Sequence, residues 1–203
     1  DYKDDHRHHI LERGQWLKKG EKEMDEKELW EKCAAFHGHE CGGLTIGYKA
    51  SLYAIKLLGL EAEKEKAGKG CFSADEELVC ICENDACGVD AIQVILGCSI
   101  GKGNLLFHMT GKQAFSFYSR KTGKAVRLVL KPRPEGMTKA ESFQYYQASR
   151  PEEMFEVKEA KLTLPEPARI FKSIPCSRCG ESTAEHMIHL QGDEMLCPDC
   201  YQA

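Results

Sequence analysis

Four cysteines near the C-terminus constrain this chain more than any other feature of its sequence. Cys176 and Cys179 form one C-x-x-C pair, Cys197 and Cys200 form a second, and seventeen residues separate the two pairs. Two such pairs supply four thiolates, which complete the tetrahedral shell of one Zn²⁺ ion at Zn–S distances of about 2.3 Å. The spacing therefore predicts a structural zinc site that leaves no metal position open to a substrate.

The residues around these cysteines, 173–203, are predicted to form a small treble-clef-like zinc-binding domain. A segment of this length buries too little apolar surface to offset chain entropy, so the metal must hold it together. Gln191-Gly192-Asp193 is typical of a hairpin turn, and Cys197-Pro198 favours a final helical turn. Two disulfides are the alternative, but C-x-x-C pairing is more typical of metal-bound thiolates.

Composition limits the remaining function classes. The chain has 203 residues, of which 42% are hydrophobic, which is enough for one further core besides the zinc domain. Its formal net charge is −4, with acids and bases mixed along the chain, and neither matches the basic footprint of a nucleic-acid-binding protein. No apolar run approaches the roughly 20 residues of a membrane helix. We therefore expect a cytoplasmic protein with neither membrane nor nucleic acid as its partner.

Residues 1–23 are interpreted as a tag or another non-native leader. The first five, Asp1-Tyr-Lys-Asp-Asp5, resemble a truncated epitope tag, and the histidine-rich stretch at 6–9 resembles a polyhistidine remnant. Met24 follows as a natural start, and a native polar arm is the alternative. The histidines of this stretch are therefore not counted as ligands.

Hydrophobic periodicity predicts an α+β core domain over residues 24–131. Helices are expected at 26–35, 44–58 and 90–96, and strands at 78–82, 105–109, 114–119 and 125–130. The helix at 44–58 is apolar nearly all round, so it belongs in the core, and Gly59 is its expected C-cap. A helical extension and linker, 132–172, should follow, with helices at 138–147 and 151–161 and with Pro165 and Pro167 in the linker.

The motif His37-x-His39-x-Cys41 is the sharpest feature of the core domain. Three potential metal ligands alternate, so an extended or turning segment aims them to one side. Cys41 also precedes a long helix, whose N-terminal amides and dipole favour a thiolate. The motif predicts a metal-bound or reactive sulfur. The alternative is two histidines that bond loop carbonyls beside one buried thiol.

A second group of polar residues leaves the end of a buried strand. It contains Asp85, Cys87 and Asp90. Carboxylates near a cysteine can tune its pKa or serve as acid and base. The alternative is that Asp90 caps a helix and Asp85 shapes a turn. Cys80 and Cys82, inside the strand, are predicted core residues.

A third segment is a glycine-rich loop with Gly101, Lys102, Gly103 and Asn104. It does not match a nucleotide-binding P-loop. Three residues rather than four separate Gly97 from the Gly-Lys pair, and glycine rather than serine or threonine follows the lysine. An anion nest with Lys102 as counter-charge is one interpretation, and a structural turn is the other. Cys98, in the same loop, is a candidate metal ligand.

Together these segments resemble the FmdE family of formylmethanofuran dehydrogenase proteins. The resemblance rests on Phe36-His-Gly-His-Glu-Cys41-Gly-Gly-Leu44, on Asp85-Ala-Cys87-x-x-Asp90-Ala-Ile-Gln93, and on Gly97-Cys98-x-x-Gly-Lys-Gly-Asn-Leu105 followed by Gly111-Lys112. It covers about residues 29–131, and the terminal module resembles the treble-clef finger of some members. Gly42 stands where the family commonly has proline.

The resemblance implies an α+β core paired as a homodimer, with a polar cleft lined by His37, His39, Cys41, Cys87, Asp90 and Cys98. It also implies a place beside molybdenum or tungsten formylmethanofuran dehydrogenase, in C1 metabolism and methanogenesis. Members of this family do not themselves carry the pterin metal centre of that enzyme. Consistently, this chain has no run of cysteines with ferredoxin spacing.

We therefore expect an accessory metal-binding protein with structural zinc in its finger, used for docking, and a second metal of unknown identity in the core. The core metal ligands would come from His37, His39, Cys41, Cys87 and Cys98. The alternative is a metal- or thiolate-dependent enzyme in which Cys41 or Cys98 is the nucleophile and His37 or His39 the base. Cys41, His37 and Asp90 are then the catalytic candidates.

Overall fold

A computed structural model describes residues 26–60 and 72–201. The leader assigned to residues 1–23 lies outside these ranges. The helices are α1 (Glu26–His37), α2 (Gly42–Leu58), α3 (Gly88–Leu96), α4 (Lys139–Ala148) and α5 (Pro151–Met154). The strands are β1 (Leu78–Cys82), β2 (Leu105–Phe107), β3 (Ala114–Ser119), β4 (Ala125–Leu130), β5 (Phe155–Lys158), β6 (Ser173–Pro175), β7 (Ser182–Ala184), β8 (His189–Gln191) and β9 (Glu194–Leu196).

Five strands form a mixed sheet in the order β2-β1-β3-β4-β5. Strands β1 and β2 are parallel, because helix α3 crosses over between them, and the other neighbouring pairs are antiparallel. Together with the helices and the cysteine-rich end of the chain, this sheet confirms the predicted α+β class with a small zinc-binding domain.

Helices α2 and α3 cover one face of the sheet, and α1 packs against both of them. The α2 side chains Leu44, Ala50 and Ala54 are fully buried, as its nearly uniform apolar character predicts. Gly59 ends α2 in the left-handed region at φ 71°, so the predicted C-cap is confirmed. Within the described ranges, no helix combines the length and apolar character that crossing a membrane requires.

The second face of the sheet is covered by the chain around residues 160–164. Val79, Ile81 and Tyr118 form a small apolar cluster there, and Ala160 and Leu164 pack against it. The Tyr118 hydroxyl donates to the Leu162 carbonyl at 2.8 Å. Strand β1 is therefore buried on both faces, which confirms the prediction of a continuous buried strand.

The predicted helix at 151–161 is wrong beyond its first turn. Helix α5 ends at Met154, and the next four residues form strand β5, which pairs antiparallel with β4. The pairing satisfies the backbone groups along the open edge of β4 and buries Phe155 to 2% exposure. Smaller differences occur at element ends, since α3 begins at Gly88 rather than Asp90 and β2 ends at Phe107 rather than Met109.

The C-terminal domain consists of two short hairpins, β6–β7 and β8–β9. The first cysteine pair follows β6 and the second follows β9, so each hairpin carries one C-x-x-C turn. Gly180 and Gly192 adopt positive φ angles of 76° and 61°, which a tight turn requires at these two positions. The turn at Gln191-Gly192-Asp193 is therefore confirmed.

Candidate metal centres

The loop between α1 and α2 brings three potential metal ligands together. Helix α1 ends at His37, Gly38 turns the chain at φ 89°, and Cys41 caps α2 by accepting a hydrogen bond from the Leu44 amide at 3.3 Å. One ligand atom from each of His37, His39 and Cys41 lies within 4.8 Å of the other two. The alternating motif therefore does aim its three ligands to one point.

Asp90 fixes the orientation of His37. Its Oδ2 lies 2.7 Å from His37 Nδ1, across 53 positions of sequence, and Gln93 donates to its Oδ1 at 3.3 Å. The other imidazole nitrogen, Nε2, lies 3.8 Å from Cys41 Sγ. A carboxylate on one ring nitrogen sets the tautomer and turns the other toward a metal or an acidic proton.

The interpretation of Asp90 as a helix cap is wrong. Cys87 occupies the N-cap position of α3, and Asp90 lies in the first turn with its carboxylate on His37. Asp85 follows Asn84, whose side-chain carbonyl accepts from the Ala86 amide and shapes this turn. The turn therefore owes its shape to an asparagine, while the aspartate of α3 serves the cluster.

The donor set of the cluster fits a metal ion. Two imidazole nitrogens and a thiolate suit zinc and other borderline or soft first-row ions. In a tetrahedral zinc site, bonds of about 2.1 Å to nitrogen and about 2.3 Å to sulfur place these two atoms about 3.6 Å apart. The separation of 3.8 Å between His37 Nε2 and Cys41 Sγ matches that value. Three ligands also leave a fourth coordination position.

Cys87 lies beside this cluster, at the start of α3. Burial and the neighbouring Cys41 sulfur raise the pKa of its thiol. A Cβ on Gly43 would lie 3.5 Å from the Cys87 sulfur and 3.9 Å from the Cys41 sulfur, so both thiols border the same glycine. The structure therefore brings Cys87 to the edge of the site, and its role as a metal ligand stays a prediction.

Two glycines that were not singled out from the sequence, Gly47 and Gly88, allow α2 and α3 to approach each other. A Cβ on Gly47 would lie 1.9 Å from the Gly88 carbonyl oxygen, so α2 and α3 touch backbone to backbone. Gly43 and Gly47 are one helical turn apart on the same face, and this small-residue spacing inside an apolar helix is the signal that would have revealed the contact.

Cys98 is placed elsewhere. It is fully buried, and its thiol donates to the Leu78 carbonyl at 3.6 Å. Among the described residues, the groups of three or more potential ligands are the His37 cluster and the C-terminal cysteines, and Cys98 belongs to neither. Cys80 and Cys82 are also fully buried, which confirms them as core residues.

The glycine-rich loop has the contacts of a structural turn. The buried Asn104 side chain accepts from the Ser99 amide and donates to the Asp75, Leu78 and Gly97 carbonyls. Lys102 Nζ donates to the Ser73 carbonyl at 2.9 Å. Of the two loop glycines, Gly103 has a positive φ of 74° and Gly101 does not. The side chains of Lys102 and Asn104 therefore donate hydrogen bonds to protein carbonyls. Anion binding by this loop stays a prediction.

The four C-terminal cysteines converge as their spacing predicts. All four sulfurs lie within 4.8 Å of one another, and those of Cys179 and Cys197 are 3.8 Å apart. A tetrahedron with Zn–S bonds of about 2.3 Å has edges of about 3.8 Å, so the geometry fits zinc.

Electrostatics also favours a cation among these four sulfurs. Backbone amides, those of Cys179 and Cys197 first, lower the pKa of Cys176 to about 6. The neighbouring sulfurs, with Cys197 having the largest effect, raise the pKa of Cys200 to about 12. Four thiolates this close repel one another unless a cation neutralises them, and this is what a structural zinc does.

Comparison with known proteins shows the family of the chain that carries these two clusters. The family model described as "FmdE, Molybdenum formylmethanofuran dehydrogenase operon" matches residues 36–176. The chain belongs to the FmdE family. The match contains His37, His39, Cys41, Cys87 and Asp90, and it extends past residue 131 to the first cysteine of the terminal domain.

Two further proteins are similar to this chain. A crystal structure of a tungsten formylmethanofuran dehydrogenase FmdE-like protein from Syntrophus aciditrophicus has a TM-score of 0.58 and 26% identity, and the match covers 86% of this chain and 91% of that one. A "Probable S-adenosyl-L-methionine-binding protein" from Archaeoglobus fulgidus is 26% identical over 194 residues, covering 82% of this chain and 51% of the relative. The chain thus spans about half the length of that relative.

Proposed function

We propose that this protein is an accessory metal-binding subunit associated with molybdenum or tungsten formylmethanofuran dehydrogenase. Its core metal is bound by His37, His39 and Cys41. The observation that carries the proposal is the convergence of these three ligand atoms within 4.8 Å, with the Asp90 carboxylate on the far nitrogen of His37. A histidine held in this way is the usual arrangement at protein metal sites.

The C-terminal domain supplies the docking module in this proposal. Zinc bound by Cys176, Cys179, Cys197 and Cys200 holds together two hairpins that bury little apolar surface of their own. Exposed apolar side chains on the second hairpin, Leu190 and Met195, form a cross-strand pair on one face and offer a contact surface for a partner. The homodimer and the core and finger domains that the sequence indicates are parts of the same proposal.

Cobalt substitution tests the core site. Purified protein stripped of metal should bind two Co²⁺ ions per chain, one in the Cys₄ site and one in the core. His37→Ala should abolish the core ion and leave the Cys₄ spectrum unchanged. His108→Ala is the matched control, because His108 is exposed beyond β2 and belongs to neither cluster. Binding of one ion per chain by the wild-type protein and both variants would refute the core metal.

Association is tested separately, because metal binding and docking are independent claims. Light scattering should give the mass of a dimer. Capture by purified formylmethanofuran dehydrogenase should depend on the finger, so Leu190→Ser together with Met195→Ser should weaken it while zinc content stays at one ion per finger. Equal capture of wild-type and variant protein would remove docking from the finger.

A second candidate function is a thiol-dependent enzyme. The specific observation is the order Cys41, His37, Asp90, in which an imidazole contacts a sulfur with one nitrogen and a carboxylate with the other. This is the arrangement of a nucleophile, its base and the group that orients the base. Cys41 also accepts a hydrogen bond from the Leu44 amide at the N-terminus of α2, which fixes the position of its sulfur.

Alkylation kinetics separate the two functions. If Cys41 is a nucleophile without metal, iodoacetamide should label it in protein free of core metal at a rate that falls at least about 10-fold in Asp90→Asn. If Cys41 is a metal ligand, added Co²⁺ or Zn²⁺ should protect it from labelling. Rapid labelling that metal does not slow favours the enzyme.

A further inference from the structure

Cys41 and Cys87 differ from the other cysteines of the core domain in their accessibility. Both are partly exposed, whereas Cys33, Cys80 and Cys82 are buried, as is Cys98. Both thiols border Gly43, where an added Cβ would lie 3.5 Å from the Cys87 sulfur and 3.9 Å from the Cys41 sulfur. Reagents in solution can therefore reach two neighbouring thiols in this domain, among the residues that the structure describes.

We propose that Cys41 and Cys87 form a redox-active dithiol that exchanges with disulfides of low molecular weight. Cys41 begins α2 and Cys87 begins α3, so the two sulfurs lie at the starts of two helices that pack against each other. The approach of the two sulfurs depends on Gly43, since a Cβ there would lie 3.1 Å from the Cys87 Cβ. The glycine thus leaves room for the two side chains to meet.

The exchange proceeds in two balanced steps. His37 Nε2, which lies 3.8 Å from Cys41 Sγ, takes the Cys41 proton, and the thiolate attacks one sulfur of the external disulfide. A mixed disulfide forms, and the first external thiolate leaves and receives that proton. The Cys87 sulfur then attacks the Cys41 sulfur and breaks the mixed disulfide, and the proton of the Cys87 thiol passes to the departing external thiolate, which leaves as a thiol. Two protein thiols are oxidised to one disulfide, and one external disulfide is reduced to two thiols.

The disulfide also removes Cys41 from the metal cluster. A sulfur bonded to sulfur has no thiolate charge to offer a metal, so oxidation should empty the site of His37, His39 and Cys41. This coupling rests on the proposed metal function, whereas the exchange itself does not. The redox state of the pair would then set whether the core holds its metal.

Oxidised glutathione tests the exchange in the full-length protein with zinc in its finger. Reduced protein is incubated anaerobically in buffers of graded reduced and oxidised glutathione, quenched with acid, alkylated and digested, and the linked peptides are identified by mass. We expect a Cys41–Cys87 peptide in the wild-type protein. Cys87→Ser should stop at a mixed disulfide on Cys41 and release one glutathione thiol fewer per chain. Cys98→Ser is the matched control and should behave as wild type.

Two results would overturn the dithiol. One is a wild-type protein that accumulates glutathione on Cys41 and never forms the Cys41–Cys87 link, while circular dichroism shows it folded. The other is loss of the link in Cys98→Ser. Because the wild-type measurement needs no substitution, a Cys87 variant that fails to fold leaves the test intact. Cobalt titration of the oxidised and reduced proteins is read separately, so failure of metal binding in both states would refute the metal function alone.

Discussion

The contact between Gly47 and Gly88 should control both stability and the core site, and Gly47→Ala tests this. An alanine Cβ would meet three backbone atoms of Gly88, at 1.9 Å for the carbonyl oxygen, 2.4 Å for the carbonyl carbon and 2.5 Å for Cα. Backbone cannot rotate away as a side chain can. The nearest contact must lengthen from 1.9 Å to at least 3.0 Å, so the helices must separate locally by about 1.1 Å.

The expected cost follows from two opposing effects. Overpacking of a well-packed core costs typically 1–3 kcal/mol, and a clash with backbone belongs at the upper end, about 3 kcal/mol. In the opposite direction, alanine in place of glycine inside a helix stabilises the helix by about 1 kcal/mol through its higher helix propensity. The net destabilisation is then about 2 kcal/mol, which should lower the melting temperature by about 4–8 °C for a chain of this size.

The same displacement should weaken the core metal site. Cys41 begins α2, whereas Asp90, which orients His37, lies in α3, so separating the two helices moves the sulfur away from the imidazole. We expect Co²⁺ affinity of the core site to fall by roughly 10–100-fold, as for the loss of other groups that orient ligands. Urea unfolding followed by circular dichroism and Co²⁺ titration measure the two effects.

Gly101→Ala is the matched control. A Cβ on Gly101 meets nothing within 4 Å, and its φ is not positive, so its free energy of unfolding should change by less than about 0.5 kcal/mol. If Gly47→Ala unfolded at the same urea concentration as Gly101→Ala and bound Co²⁺ equally well, the close helix contact would not position the site.

Three further outcomes are expected. Cys179→Ser should release one zinc per chain and unfold the residues after about 172, while the free energy of unfolding of the core changes by less than about 0.5 kcal/mol; a core that melts earlier by as much as the finger would contradict the domain division. Asp90→Asn should retain the fold but lower Co²⁺ affinity about 10–100-fold, and unchanged affinity would show that the carboxylate does not orient His37. Arg127 lowers the pKa of the buried Glu83 carboxyl, so the pair should stabilise the fold at pH values above the ordinary pKa of 4.5. That contribution is lost as pH falls through the lower folded-state pKa. Glu83→Gln should therefore reduce the fall of the melting temperature at acid pH, and an unchanged fall would contradict the prediction.

The elements that the sequence predicts well are those with a local cause. Helix α2 is set by its apolar run and its glycine cap, and the C-terminal site by the spacing of two cysteine pairs. The strand at 155–158 has no such cause. Phe155-Glu-Val-Lys158 follows a proline-started helical turn, and it becomes a strand because the edge of β4 is open beside it.

The residues of the core cluster likewise differ in whether a local sequence pattern can predict their contacts. His37, His39 and Cys41 are near neighbours in sequence, so a turn suffices to bring them together. The pairing of His37 with Asp90 spans 53 positions and depends on how α1 packs against α3, which no local pattern records. For the same reason spacing cannot tell that Cys87 borders the cluster while Cys98, at the other end of α3, donates into the carbonyl of Leu78.

The fourth position of the core site decides what kind of protein this is. In the proposed site three ligands fix a metal and leave one place open, and the Cys87 thiol lies beside Cys41 at the edge of the cluster. If Cys87 binds the metal, the shell is closed and the ion holds the loop to α3. If Cys87 stays off the metal, the open position accepts a water or a partner's ligand, and the dithiol remains free to form when the ion leaves. Metal stoichiometry alone cannot separate these states, because both contain one ion. The thiolate-to-Co²⁺ charge-transfer band can, because Cys87→Ser lowers its intensity only in the first.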